Sequence, residues 1–282
     1  MKAAVAIADA EPALERSASA LAVERAAEIL LLLAQTDTGS LSVTELARET
    51  KASGSAIHRI LTALRRKQLV DQHPETQRYA LSWRMLTLFR QMNSRADLRG
   101  VVYPYMLRLR DLTAETITLN VQTGFERVCI EAVEGTHEIR WVAQIGQLAP
   151  LHSGVTGELL LAYAAEPDRR AYWSHLAQLR KLDPAIPSRA VLVRRVETIA
   201  SEGYALAQSS HVQGIDAVSA PILGPDRSIA AALTIAGPAE RCTLERLEAW
   251  LPDLLAAAGE VSQVLDRSAS AIRPTTSSHY RR

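Results

Sequence analysis

The sequence predicts an α+β chain: an N-terminal winged helix-turn-helix, a linker helix and a larger C-terminal α/β domain. Three observations predict it. Residues 42–81 carry a capped helix pair followed by a short hairpin pattern. A compact basic segment coincides with that pair inside an otherwise near-neutral chain. Helical and strand patterns then interleave through residues 97–266, which implies an α/β or α+β sandwich. The expected divisions are a flexible arm (1–17), a winged helix-turn-helix (18–82), a linker helix (83–96), the α/β domain (97–266) and a disordered tail (267–282).

Composition bounds the rest. The chain has 282 residues, enough for about two domains. Apolar residues make up 48% and charged residues 22%, a balance that buries globular cores and excludes global disorder. The longest mainly apolar run, residues 26–34, contains Glu28 and falls well short of the roughly 20 residues that span a bilayer. Residues 1–10 reach Asp9 too soon for a secretory leader. Two cysteines, Cys129 and Cys242, make neither a disulfide framework nor a four-cysteine zinc site, so a cytoplasmic protein is expected.

Net charge is +1, but residues 48–90 hold nine basic residues against three acidic ones. Such a patch is the electrostatic footprint of a nucleic-acid reader, and otherwise an ordinary solvated helix face. Of the 32 basic residues 28 are arginine, so a single arginine means little and only the cluster counts.

A first helix is predicted over residues 20–35, with Leu21, Ala27, Leu30, Leu31 and Ala34 on its buried side. Thr36 to Ser40 form a polar loop. Ser42-Val43-Thr44-Glu45 is a capping box that opens a short helix through Glu49, with Val43, Leu46 and Ala47 turned inward. After a turn at residues 50–52, Ser53 caps a third helix through Lys67. At 100° per residue, Ile57, Ile60, Leu61 and Leu64 form one apolar stripe. Ser55, Arg59, Thr62 and Arg66 line the opposite side, with His58 on the flank. Residues 69–72 and 78–81 read as two strands around a turn, which completes a winged helix-turn-helix.

That arrangement predicts duplex DNA as partner. Ser55, His58, Arg59 and Thr62 are expected at the bases, Arg59 at guanine, and Ser53, Arg66 and Arg78 at phosphates. One winged helix reads little DNA. A homodimer or tetramer on a pseudo-palindromic operator follows, joined through spare apolar residues of the first helix and of a linker helix bearing Trp83, Leu86, Leu88 and Phe89. The competing reading is a winged helix used for protein contacts beside an empty, non-sensing second domain.

In the second domain, helices are predicted over residues 103–113, 155–165, 191–202 and 244–265, the last with Pro252 as an expected kink site. Strands are predicted over 116–122, 127–133, 138–144, 204–209, 217–222 and 229–235. His152 beside Ser153 does not make a triad, since no nucleophile elbow or oriented acid accompanies it. No phosphate loop, dinucleotide fingerprint or metal-spaced His/Cys set occurs, so neither catalysis nor a metal or cofactor is expected. His152 reads as a loop residue bonded to backbone, and Cys129 as a small core hydrophobe.

Several motifs resemble the IclR family of bacterial transcriptional regulators. Ser55-Ala56-Ile57-His58-Arg59-Ile60-Leu61-Thr62-Ala63-Leu64 is similar to its recognition helix, with Ala56 in place of a frequent threonine, a departure expected to remove one DNA contact. Gly146-Gln147-Leu148-Ala149-Pro150-Leu151-His152-Ser153-Gly154-Val155-Thr156-Gly157 is similar to its loop-and-helix motif. Gly214-Ile215-Asp216-Ala217-Val218-Ser219-Ala220-Pro221-Ile222 and Ala231-Ala232-Leu233-Thr234-Ile235-Ala236-Gly237-Pro238 resemble its two late strands. The resemblance implies a GAF-like effector-binding domain. Its pocket would be formed by Trp141, Ala149, Val155, Thr156, Ala207, Ile215, Ala217, Thr234 and Ala236. Ala207, Ala217, Ser209, Ser210 and Glu158 depart from the pattern of members that bind small organic acids. Small walls and the Trp141 ring suggest an aromatic or apolar organic acid, held by backbone amides where the 155–165 helix starts.

Overall fold

The computed structural model describes residues 18–36, 38–88, 98–207 and 213–272. The arm at 1–17, Phe89 and the rest of 89–97, Ser209, Ser210 and residues 273–282 lie outside the described residues. The chain divides into two compact units, residues 1–95 and 96–282.

In the first unit, α1 (Ala18–Gln35), α2 (Val43–Glu49) and α3 (Gly54–Arg66) precede a two-stranded antiparallel sheet of β1 (Val70–Gln72) and β2 (Tyr79–Leu81). Ile29, Leu33, Leu46, Ile57, Leu61, Leu64, Val70 and Tyr79 form its core. The buried face of α1 differs from the expected one. Ile29 and Leu33 are buried, with Ala26, Leu30 and Leu32 packed beside them, while Leu21, Ala27, Leu31 and Ala34 are exposed. Residues 29–33 are apolar all round, so periodicity cannot choose a side there. Packing against α3 and β2 chooses it.

The capping box forms at the start of α2. The Ser42 amide donates to Glu45 Oε2 at 2.7 Å, and the Glu45 amide donates to Ser42 Oγ at 3.3 Å. Leu41 pairs with Tyr79 through two backbone bonds of 2.9 and 2.8 Å, which fastens the α1–α2 loop to the hairpin. Of the expected linker helix, residues 85–88 are helical, and Trp83, Leu86 and Leu88 are exposed.

The second unit begins with α4 (Leu98–Thr113) and the hairpin β3 (Thr116–Thr123) and β4 (Glu126–Val133). Then come β5 (Leu148–Pro150), α5 (Gly154–Tyr163), α6 (Glu166–Leu182), α7 (Arg189–Glu202) and β6 (Ala205–Ala207). The strands β7 (Ile215–Leu223) and β8 (Ile229–Pro238) lead into α8 (Leu244–Ile272), which contains Pro252. All six strands join one antiparallel sheet in the order β5-β4-β3-β8-β7-β6. One face carries Ile117, Leu119, Val218, Leu233 and Ile235 against Met106 of α4 and Leu247, Leu254 and Val261 of α8. On the other face, Ala205 and Ala232 pack with Leu159, Tyr172, Leu192 and Val196 of α5, α6 and α7.

Two elements depart from the sequence expectation. Residues 138–144 form no strand, and β5 at 148–150 takes the sheet edge instead. The 138–144 segment is tied by side chains rather than by a ladder: Arg241 Nη2 donates to the Ile139 carbonyl at 2.9 Å, and Thr116 Oγ1 donates to that of Trp141. Helix α6 was not predicted. It is mostly polar and buries Tyr172, Leu176 and Leu179 at spacings of four and three, a narrow stripe with Pro167 in its first turn. Helix α5 has no polar face, because residues 154–162 are all buried. It passes so close to the preceding turn that a Cβ on Gly157 would lie 2.6 Å from the Leu151 carbonyl oxygen.

Candidate nucleic-acid interface and ligand pocket

Helix α3 is positioned by its apolar side: Ile57 and Leu61 are fully buried and Leu64 nearly so. Ser53 caps it, accepting from the Ala56 amide at 3.3 Å. Ser55, His58, Arg59, Thr62 and Arg66 are all exposed along the helix, whereas Ala56 is half-buried. Thr62 Oγ1 donates to the His58 carbonyl at 2.8 Å, and the Ser53 and Ser55 hydroxyls lie 3.1 Å apart. Arg65, which the sequence reading left out, donates to Gln72 Oε1 at 2.7 Å and braces α3 against the hairpin.

Arg78, expected at a phosphate, is engaged within the first unit. Its Nη2 donates to the Ser40 carbonyl at 2.9 Å, and its Nε to Ser40 Oγ at 3.2 Å. The same guanidinium pairs with Glu45 at 2.9 Å. The Ser42 bonds, with a contribution from Arg78, hold the Glu45 carboxyl down at about 2. Arg78 therefore clamps the hairpin to the capping box.

A cavity of about 670 Å³, counting its open mouth, lies on the sheet face opposite α4 and α8. Trp141, Ala149, Val155, Thr156, Ile215, Ala217, Thr234 and Ala236 line it. Ala207 is not among the lining residues; it sits on β6 opposite Ala217. Thr118, Asn120, Arg127, Cys129, Ala143, Gln147 and Gly154 also line it, and sequence reasoning did not name them as site residues. Thr118, Asn120, Thr156, Ser219 and Thr234 are all buried and polar on this side of the sheet. Three of them form a chain: Thr156 Oγ1 lies 3.1 Å from Thr234 Oγ1, which lies 2.8 Å from Ser219 Oγ. A buried row of hydroxyls on a sheet face was a legible signal, since a purely structural face would be apolar.

Two further expectations are refined. His152 Nδ1 bonds the Tyr172 hydroxyl at 2.9 Å rather than a backbone group, and burial lowers its basicity. Cys129 is buried but lines the cavity, and burial pushes its thiol up to about 11, so it stays protonated at neutral pH. Glu158 is buried and paired with Arg195 at 2.8 Å. No group of side chains suited to a metal ion occurs among the described residues.

Comparison with known proteins finds the same family in both units. The family model for the IclR helix-turn-helix domain matches residues 22–74, and that for the bacterial transcriptional regulator IclR C-terminal domain matches residues 90–263. The transcriptional regulator BhcR of Paracoccus denitrificans is 28% identical over 251 residues, 88% of each chain. The Thermotoga maritima IclR structure is 27% identical with a TM-score of 0.65, covering 86% of this chain and 98% of that one. An IclR homologue from Microbacterium hydrocarbonoxydans, crystallised with 4-hydroxybenzoate, shares the fold at 20% identity and a TM-score of 0.72, covering 87% and 99%. The chain belongs to the IclR family, and is a transcriptional regulator with a helix-turn-helix DNA-binding domain and a C-terminal effector-binding domain.

Proposed function

We propose that α3 enters the major groove of a pseudo-palindromic operator as part of a homodimer, and that an aromatic or apolar organic acid in the cavity alters operator affinity. The observation that carries the DNA reading is the division of α3, with Ile57, Leu61 and Leu64 inward and Ser55, His58, Arg59, Thr62 and Arg66 outward. Arg59 is assigned to a guanine and Arg66 to phosphate. Ser53 stays near the backbone of the duplex, and Ala56 contributes packing rather than a hydrogen bond.

Dimerisation is supported by an apolar stripe on the outer side of α1. Ala20, Val23, Ala27, Leu31 and Ala34 fall within one side of the helix and are exposed, Val23 by 67% and Leu31 by 58%. Exposed Trp83, Leu86 and Leu88 extend the apolar surface available to a second copy.

The effector reading is supported by the small residues lining the cavity, the Trp141 ring as a stacking face, and the backbone amides of Gly154, Val155 and Thr156 at the start of α5. No catalytic role is assigned, because His152 is engaged with Tyr172. A role on DNA supports a cytoplasmic reading, and no described helix is long and apolar enough to cross a membrane.

Selection of duplexes from genomic fragments, followed by titration, tests the reading. One preferred site with two related half-sites is expected. Binding that is indifferent to sequence, or a single unpaired site, overturns it. For the cavity, 4-hydroxybenzoate and related acids are screened by thermal shift against wild type and Ala217→Trp. Hits should vanish in the filled variant.

A further inference from the structure

Arg127 stands out among the residues lining the cavity. Fourteen neighbours share the wall, and Arg127 is the one that carries a charge. Its Nη1 donates to Asn120 Oδ1 at 3.0 Å, and Asn120 Nδ2 in turn donates to Thr118 Oγ1 at 3.0 Å. Among the described residues, Arg127 Nε is the buried side-chain polar atom that has no hydrogen-bond partner. Leaving such a group unsatisfied is costly, so a native example calls for an explanation.

The strand geometry shows that this charge is kept unquenched. Asn120 pairs with Cys129 and Gln122 with Arg127, so Arg127, Cys129 and Asn120 share the cavity side. Simple alternation would put Glu131 there as well, two residues beyond Cys129. A register shift between Leu119 and Asn120 sets Glu131 opposite Leu119 instead, on the side facing α4. There Arg99 takes it at 2.6 Å. The bulge thus separates the carboxylate from Arg127. The Cys129 thiol beside Arg127 stays neutral and supplies no counter-charge either.

We infer that the cavity takes a monocarboxylate with an apolar body, its carboxylate gripped side-on by the Nε–Nη2 edge of Arg127, with Asn120 positioning that edge and Trp141 flanking the body. This rests on the effector reading above and supplies its charge and its anchor. A planar guanidinium edge matches a carboxylate with two parallel bonds. One positive charge neutralises one negative charge, and a second carboxylate would be buried without a counter-charge.

Matched triplets test this on the wild-type chain: benzoate, benzamide and phthalate, then hexanoate, hexanamide and adipate. A monocarboxylate should raise the melting temperature while its amide and diacid at equal concentration do not. Arg127→Gln should weaken that monocarboxylate by roughly 10- to 100-fold, the loss expected for hydrogen bonds to a charged group. Arg127→Lys should fall between, since it keeps the charge but not the fork. An amide or diacid that binds as tightly as its monocarboxylate overturns the inference without relying on any variant. So does Arg127→Gln with wild-type affinity, or no shift from any monocarboxylate at about 10 mM. If the surviving hits are still lost in Ala217→Trp, the effector reading stands and only the role of Arg127 fails. A monocarboxylate whose binding persists unchanged in Ala217→Trp overturns both.

Discussion

Replacing Arg78 by alanine separates two roles that look alike in sequence. The structure gives its guanidinium two hydrogen bonds to Ser40, at 2.9 and 3.2 Å, and an ion pair with Glu45 at 2.9 Å. Both partners of the ion pair are about a third exposed, so solvent screens it and it contributes little. The hydrogen bonds add about 0.5–1.5 kcal/mol each before the alanine site relaxes. A net loss of about 1–2 kcal/mol is expected in the first unit. At about 4–8 °C per kcal/mol for a domain of this size, its melting point falls by roughly 5–15 °C. Hydrogen exchange in the full chain should localise the loss to α2, β2 and the Leu41–Tyr79 pairing. Specific DNA binding weakens with the fold, while its dependence on salt keeps the wild-type slope. A phosphate ligand behaves otherwise, because each lost contact lowers the slope by about one. A variant with wild-type stability and a slope reduced by one would refute the clamp and restore Arg78 to the DNA backbone.

Other outcomes follow from the same geometry. Arg59→Ala should lose about 1–3 kcal/mol of discrimination at particular base pairs in a binding selection, whereas Arg66→Ala should weaken all duplexes alike and flatten the salt slope by about one. Glu45 has its carboxyl lowered from 4.5 to about 2, so it stabilises the fold above about pH 4.5 and loses that contribution as pH falls towards 2. The stability gap between wild type and Glu45→Gln in acid titrations should therefore close over that window; a gap that widens contradicts the assignment. Leu31→Glu should shift sedimentation from dimer to monomer, and an unchanged dimer would move the seam away from α1.

The local signals in the sequence were strong wherever chemistry and position coincide. Ser42 with Glu45, Ser53 before α3, and the stripe of Ile57, Leu61 and Leu64 each define their own element, because capping and a one-sided helix are decided within a few residues. The face of α1 was not legible, since Leu30, Leu31, Leu32 and Leu33 offer apolar groups in every direction and only tertiary packing selects among them. The apolar residues at 139, 141, 142 and 143 imitate a strand. The side chains of Arg241 and of Thr116 at the start of β3 hold that segment, which no local pattern encodes.

The cavity was legible where residues matched family motifs on β7, β8 and α5, and not where it is built by β3 and β4. Arg127 reads there as one more arginine in an arginine-rich chain. What distinguishes it is a register shift between Leu119 and Asn120, invisible to alternation because it depends on how two strands align.

The proposed function requires that a small molecule bound in the second domain alter operator binding by the first. The direct measurement is an anisotropy titration of the full chain on its selected operator, with and without a saturating ligand identified by thermal shift. The ligand is expected to change the apparent Kd by about fivefold or more, the usual scale of coupling between two sites, and Ala217→Trp to abolish the change. Identical titration curves with and without a ligand shown to occupy the cavity would contradict it, because a ligand with equal affinity for both DNA-binding states regulates nothing.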